Sequence, residues 1–301
     1  MNYWGEAAAL GTAVSWALTS ILFSFAGQRI GSVVVNRSRL LFAFLFLLIT
    51  HWFLQGSFFP TEVEPFRWFW LTVSAILGLV LGDGFLFQAF VLIGARLSAL
   101  LMSTVPIISV LVGWLLFGEG LTAVEMTAVL LSVGGVAWVV TEKQPGRTAV
   151  ENKNYRLGLL FGLLGAVGQV VNLVTARYGM VGDYPAISAT IIRIFVAMLV
   201  MWGAAVFQRQ VQITFQHWRD QPALRTLIGG SFVGPFLGIW LSLIAVQLTR
   251  LGIAATLMAL TPILLIPAEY AIYRKPISRR SLMGTMLAFA GVALIFLPQG
   301  S

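Results

Sequence analysis

The stretch Ala99-Leu100-Leu101-Met102, followed by Pro106-Ile107, recurs 156 residues later as Ala255-Thr256-Leu257-Met258, followed by Pro262-Ile263. At the same offset Gly78 and Gly82 meet Gly234 and Gly238, and Gly135-Val136-Ala137 meets Gly291-Val292-Ala293. With a slip of two residues, Arg39-x-x-x-Ala43 meets Arg193-x-x-x-Ala197, and at an offset of 153 Trp16 meets Gln169. Leu and Val identities between apolar segments arise by chance. Prolines and glycines held in register carry more weight, so the chain reads as a duplication.

Working outward, each copy is a series of long apolar runs. Apolar residues make up 58% of the chain and charged residues 10%, against about 45–50% and about 25% in a soluble domain. A globule of this size needs a polar skin that this composition cannot supply, whereas a bilayer removes the need. A spanning helix takes about 20 apolar residues to cross roughly 30 Å of hydrocarbon. Ten such runs are marked, near 6–26, 33–54, 68–91, 95–117, 121–141, 156–178, 185–206, 225–247, 251–273 and 279–297. The very short connections at Gly94-Ala95 and Thr249-Arg250 make spans 3 and 4, and spans 8 and 9, antiparallel hairpins. The expected fold is an all-α membrane protein of ten transmembrane helices. Its domains are residues 1–141 and 156–301, joined by a polar linker over 142–155, and a second polar loop runs from Gln208 to Gln221. Five spans per half is odd, so the second half enters from the opposite face. Such inverted repeats recur in secondary transporters, with a midplane site between the halves.

Other classes lose ground on the same residues. The chain has no cysteine and two histidines, His51 and His217, both near span ends, so disulfides and thiolate metal sites are excluded and no zinc or haem site is expected. No cofactor is implied. Met1 to Gly5 lacks a basic segment, and the first apolar run is long enough to span, which argues against a cleaved leader. An intramembrane aspartyl protease needs two facing aspartates, and Asp83 alone lies clearly within a span. His-Glu-x-x-His, Gly-x-Ser-x-Gly and a nucleotide-binding loop are absent. A passive channel is the remaining alternative, but no repeated filter or charged ring is evident. The net charge of +8 comes from basic residues scattered between apolar runs. That pattern suits loops facing anionic headgroups rather than nucleic acid.

The region from Leu81 to Glu119 contains Gly82-Asp83, Phe87-Gln88-Ala89, Ile93-Gly94, Ala99-Leu100-Leu101-Met102, Pro106 and Gly118-Glu119. With these it resembles the EamA-type domain of the drug/metabolite transporter superfamily. The resemblance extends over essentially the whole chain and is stronger in the first half, since the second has Arg274-Lys275 where the motif has Gly-Glu. It implies ten helices in two EamA halves and outward movement of small metabolites, often amino acids. It specifies the fold well and the substrate poorly.

Several residues are candidates for the site. Pro106 and Pro262 lie mid-span and each lacks an N–H, freeing the carbonyls of Met102 and Met258. They read either as static kinks or as matched gates of the two hairpins. Asp83 is a carboxyl group in span 3, where a charge costs about 2.5–3.5 kcal/mol at the bilayer centre. It reads as a substrate or proton site, or as a lock beside Gly82 and Gly84. Glu269 is a second carboxyl candidate, or a group that snorkels to the interface with Arg274. Gln169 and Asn172 share a helix face and, with Trp16, read as the wall of a cavity, or as helix-joining amides worth about 0.6 kcal/mol each. Arg39 and Arg193, repeat-matched near the starts of spans 2 and 7, read as interface anchors or as binders of an acid group. Gly78-x-x-x-Gly82 and Gly234-x-x-x-Gly238 read as packing faces.

The expected site is thus a cavity between the halves contacting Trp16, Gln169, Asn172 and Asp83, with Asp83 and then Glu269 as proton carriers where transport is coupled. The implied partners are a small-molecule substrate, the lipid bilayer and, in the coupled case, protons. A monomer is one arrangement this allows. Of the 19 Lys and Arg residues, 15 fall in the loops of one face, Arg39 counted among them, and 4 on the other. Basic loops stay cytoplasmic. Both termini are therefore expected outside the cytoplasm of a plasma-membrane protein.

Overall fold

A computed structural model describes residues 3–105, 107–108, 123–140, 149–182, 184–248, 254, 257–261, 263–265 and 278–295. The described residues are helical, with no strand among them. The helices are α1 (Trp4–Ile30), α2 (Ser32–Gln55), α3 (Pro65–Ser74), α4 (Asp83–Met102), α5 (Ala123–Val140), α6 (Ala149–Gly179), α7 (Ala186–Phe207), α8 (Val211–His217), α9 (Gln221–Ser231), α10 (Ile239–Leu248) and α11 (Arg279–Ile295). Two π-helical segments, Ala75–Gly82 and Phe232–Gly238, join α3 to α4 and α9 to α10.

The outside of the bundle is apolar and the inside is built from small residues, the reverse of a soluble helix bundle. On α1, Leu10, Val14 and Leu18 are exposed at one-turn spacing, while Ala9, Ala13 and Ala17 beside them are buried. On α6, Leu160, Leu163, Leu164 and Val167 face outward, and Ala166 is buried. In lipid the large side chains lose nothing by facing out, and small ones inside let backbones approach. Six stretches among the described residues are long and apolar enough to cross a membrane: Trp4–Ile30, Ser32–Gln55, Pro65–Met102, Val150–Gly179, Ala186–Phe207 and Gln221–Leu248. The chain is a multi-pass membrane protein.

The 38-residue stretch Pro65–Met102 is broken at Gly94, where φ is 80° and ψ 169°. A side chain at this backbone position is strained, so glycine marks the turn that the sequence places at Gly94-Ala95. The loop read from Gln208 to Gln221 is partly ordered as α8, whose Phe215 ring packs against Trp202 and meets Trp218 edge to face. α6 begins at Ala149, inside the stretch assigned to the linker.

α1 packs against α9, α10 and the second π segment, whereas α6 packs against α3, α4 and the first π segment. α2 lies on α7, and α5 on α11. The two Gly-x-x-x-Gly faces form close crossings. A Cβ on Gly82 would sit 3.2 Å from the Gly168 Cα, and one on Gly238 would sit 3.1 Å from the Trp16 ring. Gly78 abuts the Asn172 side chain and Gly234 abuts Thr19. Packing is thus the role of these glycines, as their spacing implies.

At one end, Asp220 caps α9 by accepting from the Ala223 N–H and accepts from Arg29 Nε at 2.9 Å. The Arg29 hydrogen bond first, and the Ala223 N–H second, hold its carboxyl below the usual carboxylate range. Both favour the charged form. This clamp is therefore complete above that range and is lost as pH falls through the lowered value.

Candidate functional site

Where the glycine faces bring α1, the π segments and α6 together, the bundle holds a cavity of about 140 Å³. Trp16, Asp83, Gln169 and Asn172, the four residues that the sequence assigns to a site, all line it. So do Arg39 and Arg193. Pro106, Pro262 and Glu269 lie outside the described residues. Turns at Ser103–Thr104 and Ala259–Leu260 interrupt the helices just before the two proline positions. The Met258 carbonyl, which a proline four residues on leaves without its amide donor, accepts from Thr261 Oγ1 at 2.8 Å. Nearby hydroxyls commonly satisfy such carbonyls in membrane helices.

The polar side of the cavity is two arginine networks. Arg39, only 2% exposed, donates from its NH2 group to Asp83 Oδ2 at 2.5 Å and to the Leu79 carbonyl at 3.2 Å. Its Nε donates to Asn36 Oδ1 at 3.0 Å, and its guanidinium lies 4.7 Å from the centre of the Phe87 ring. The first π segment positions this network. Its Leu79 and Val80 carbonyls accept from Arg39 and Asn36 of α2. A π turn widens the helix and leaves carbonyls for other donors, which is why such turns recur at functional sites.

Arg193, 1% exposed, donates from NH2 to Asn172 Oδ1. Asn172 Nδ2 in turn donates to Gln169 Oε1 at 3.1 Å, confirming that the two amides share a face. Ser74 Oγ donates to the Asn172 amide oxygen at 2.9 Å. Arg193 Nε is buried with no hydrogen-bond partner. The apolar side of the cavity includes Trp16, Phe23, Phe87 and Phe90. Phe23 and Phe87 meet edge to face at 5.3 Å.

Asp83 is a lock, but through Arg39 of α2 rather than through its glycine neighbours. Gln169 and Asn172 line the cavity, and Asn172 also ties α6 to α3 and α7 through Ser74 and Arg193. Arg39 and Arg193 are not interface anchors: both are buried at the cavity. Their cost in an apolar span, and their matched repeat positions, were the available signals. Removing one arginine from each side of the loop-charge comparison leaves its bias unchanged.

A helical, apolar bundle with a buried, charged cavity among its crossing helices is the architecture of a membrane transporter. The EamA-like transporter family model matches residues 3–141 and again residues 156–297, so the chain belongs to that family. One solved crystal structure aligns over 98% of this chain and 97% of its own length, at 15% identity and a TM-score of 0.66. That likeness speaks for the fold alone. Among curated proteins no match is found.

Proposed function

We propose that the chain is a ten-span secondary transporter whose inverted halves, residues 1–141 and 156–301 joined by 142–155, carry a small metabolite of amino-acid size outward by alternating access. The observation that carries this reading is the cavity, where Arg39 and Asp83 from the first half meet Arg193 from the second. Such buried ionisable groups are costly in a bilayer and mark substrate or ion paths. The two π segments support the inverted repeat, since Ala75–Gly82 and Phe232–Gly238 overlap almost fully at the 156-residue offset. The crossings support it too. Gly78 on Asn172 and Gly82 on Gly168 correspond, through both repeat offsets, to Gly234 on Thr19 and Gly238 on Ser15.

Trp16, Gln169, Asn172 and Asp83 contact the substrate in this reading. The hairpins carrying Pro106 and Pro262 open the cavity to one face and then the other. Where transport is proton-coupled, Asp83 carries the proton, with Glu269 as second carrier. A proton on Asp83 competes with Arg39 for the same carboxylate oxygen. Access states that make or break this pair therefore differ in proton affinity, as coupling requires. The termini lie on the non-cytoplasmic face of the plasma membrane, following the loop charge.

The test works whatever the substrate is. Proteoliposomes are loaded with a deproteinised extract of small metabolites, and the outside medium is followed by mass spectrometry. Release of a subset of metabolites faster than from protein-free liposomes is expected. Identical release from both would end the transport reading.

A further inference from the structure

Arg39 and Arg193 hold matched positions but end in different states. Arg39 is paired with a charge of opposite sign, and has a carboxylate, a backbone carbonyl, an asparagine oxygen and an aromatic face around it. Arg193 has a neutral amide at its NH2 group and nothing at Nε, although it is 1% exposed. Asp83 pairs with Arg39 through Oδ2, and the hydrogen bond shown for Arg193 goes to Asn172 instead. Among the described residues, the cavity wall thus carries two guanidinium groups and one carboxylate.

A buried cation whose hydrogen-bonded partner is a neutral amide costs free energy that an incoming counter-ion recovers. A guanidinium edge suits a carboxylate best, because two parallel N–H groups meet two oxygens. Asn172 holds one end of that guanidinium, and Ser74 and Gln169 hold Asn172, so Arg193 is oriented before a ligand arrives. The same cavity wall includes the aromatic rings of Phe23, Phe87 and Phe90, with Phe87 against the Arg39 guanidinium. No second carboxylate among the described lining residues waits for an ammonium group.

Resting on the transport reading above, we infer that the substrate is a small organic anion whose carboxylate docks on Arg193 while its apolar body lies against the phenylalanine wall. The anion brings the cavity's one positive charge in excess to neutrality. A neutral or cationic analogue of the same shape leaves Arg193 unpaired, and a cation adds a like charge.

Three probes of nearly equal size separate these cases: phenylacetate, phenylacetamide and 2-phenylethylamine. Binding to the purified full chain in detergent is read by thermal stabilisation and by calorimetry. Phenylacetate should bind about 10- to 100-fold more tightly than the amide, the span expected for one hydrogen-bonded charged contact. Arg193→Gln should remove this preference and Arg193→Lys retain part of it. The wild-type comparison stands without either variant. Equal or tighter binding of the amide or amine, or no binding of any probe, overturns the inference. Transport is judged separately by the extract-release assay. Release of only neutral or cationic metabolites leaves the transporter and removes the anion, whereas no release at all removes the transporter.

Discussion

Asp83→Asn should destabilise the protein by about 3–5 kcal/mol, the cost of stranding a buried charge when its partner is removed. The asparagine amide keeps the shape of the carboxyl group and still offers one acceptor to Arg39. It lacks the charge, so geometry survives and compensation does not. Arg39 and Arg193 are then two buried cations facing one cavity. An arginine cannot escape by losing its proton. Arg39→Gln should be milder for the converse reason, since a lone Asp83 can take up a proton or turn to Arg193. The double variant, Asp83→Asn with Arg39→Gln, should be more stable than Asp83→Asn alone. Thermal unfolding of all three in one detergent checks this order. Strict additivity of the two single losses would show that the pair at 2.5 Å is not the stabilising contact described above.

Gly168→Ala should be the most damaging of the glycine-to-alanine changes in α6. Its new Cβ would lie 2.6 Å from the Gly82 Cα, a backbone atom that cannot rotate away. The only relief is to part α6 from the first π segment, and overpacking of this kind costs about 1–3 kcal/mol. Asp83 and Gln169 directly follow the two glycines, so the cavity wall moves with the helices. Gly203→Ala in α7 is the matched control, because nothing lies within 4 Å of its Cβ position. There the better helix propensity of alanine should stabilise by up to about 1 kcal/mol. Opposite signs in thermal unfolding are expected, and equal shifts would contradict the close crossing of Gly82 and Gly168.

The sequence showed much of this architecture and less of its chemistry. Glycines at one-turn spacing, kept in register between the halves, mark helix crossings because only backbone proximity in lipid demands them. The hairpin turn was legible at Gly94, whose backbone angles other residues tolerate poorly. The cavity residues Trp16, Gln169 and Asn172 emerged from the repeat and from helical spacing. The partners of Asp83 and Asn172 did not. Arg39 lies 44 positions from Asp83 and Arg193 lies 21 from Asn172, and spacing along one helix says nothing of what crosses it. Arg39 read as an interface anchor or as a binder of an acid group, the first because it falls early in its span. Depth in the bundle is set by packing, which buried it. The π segments were equally hidden, since Ala75–Gly82 differs from an ordinary apolar helix only in how its carbonyls are used.

Alternating access is the central claim, and the absence of native cysteine makes it directly measurable. Ser20 and Ser242 line the cavity from α1 and α10, and Ser→Cys changes little in size. Vesicles of each orientation, carrying Ser20→Cys or Ser242→Cys, are treated with a membrane-impermeant thiol reagent from the outside. The account predicts that each cysteine is modified from both faces of the membrane, because the cavity opens to each in turn. Modification from one face alone, in both variants, would describe a pocket rather than a path and would contradict it.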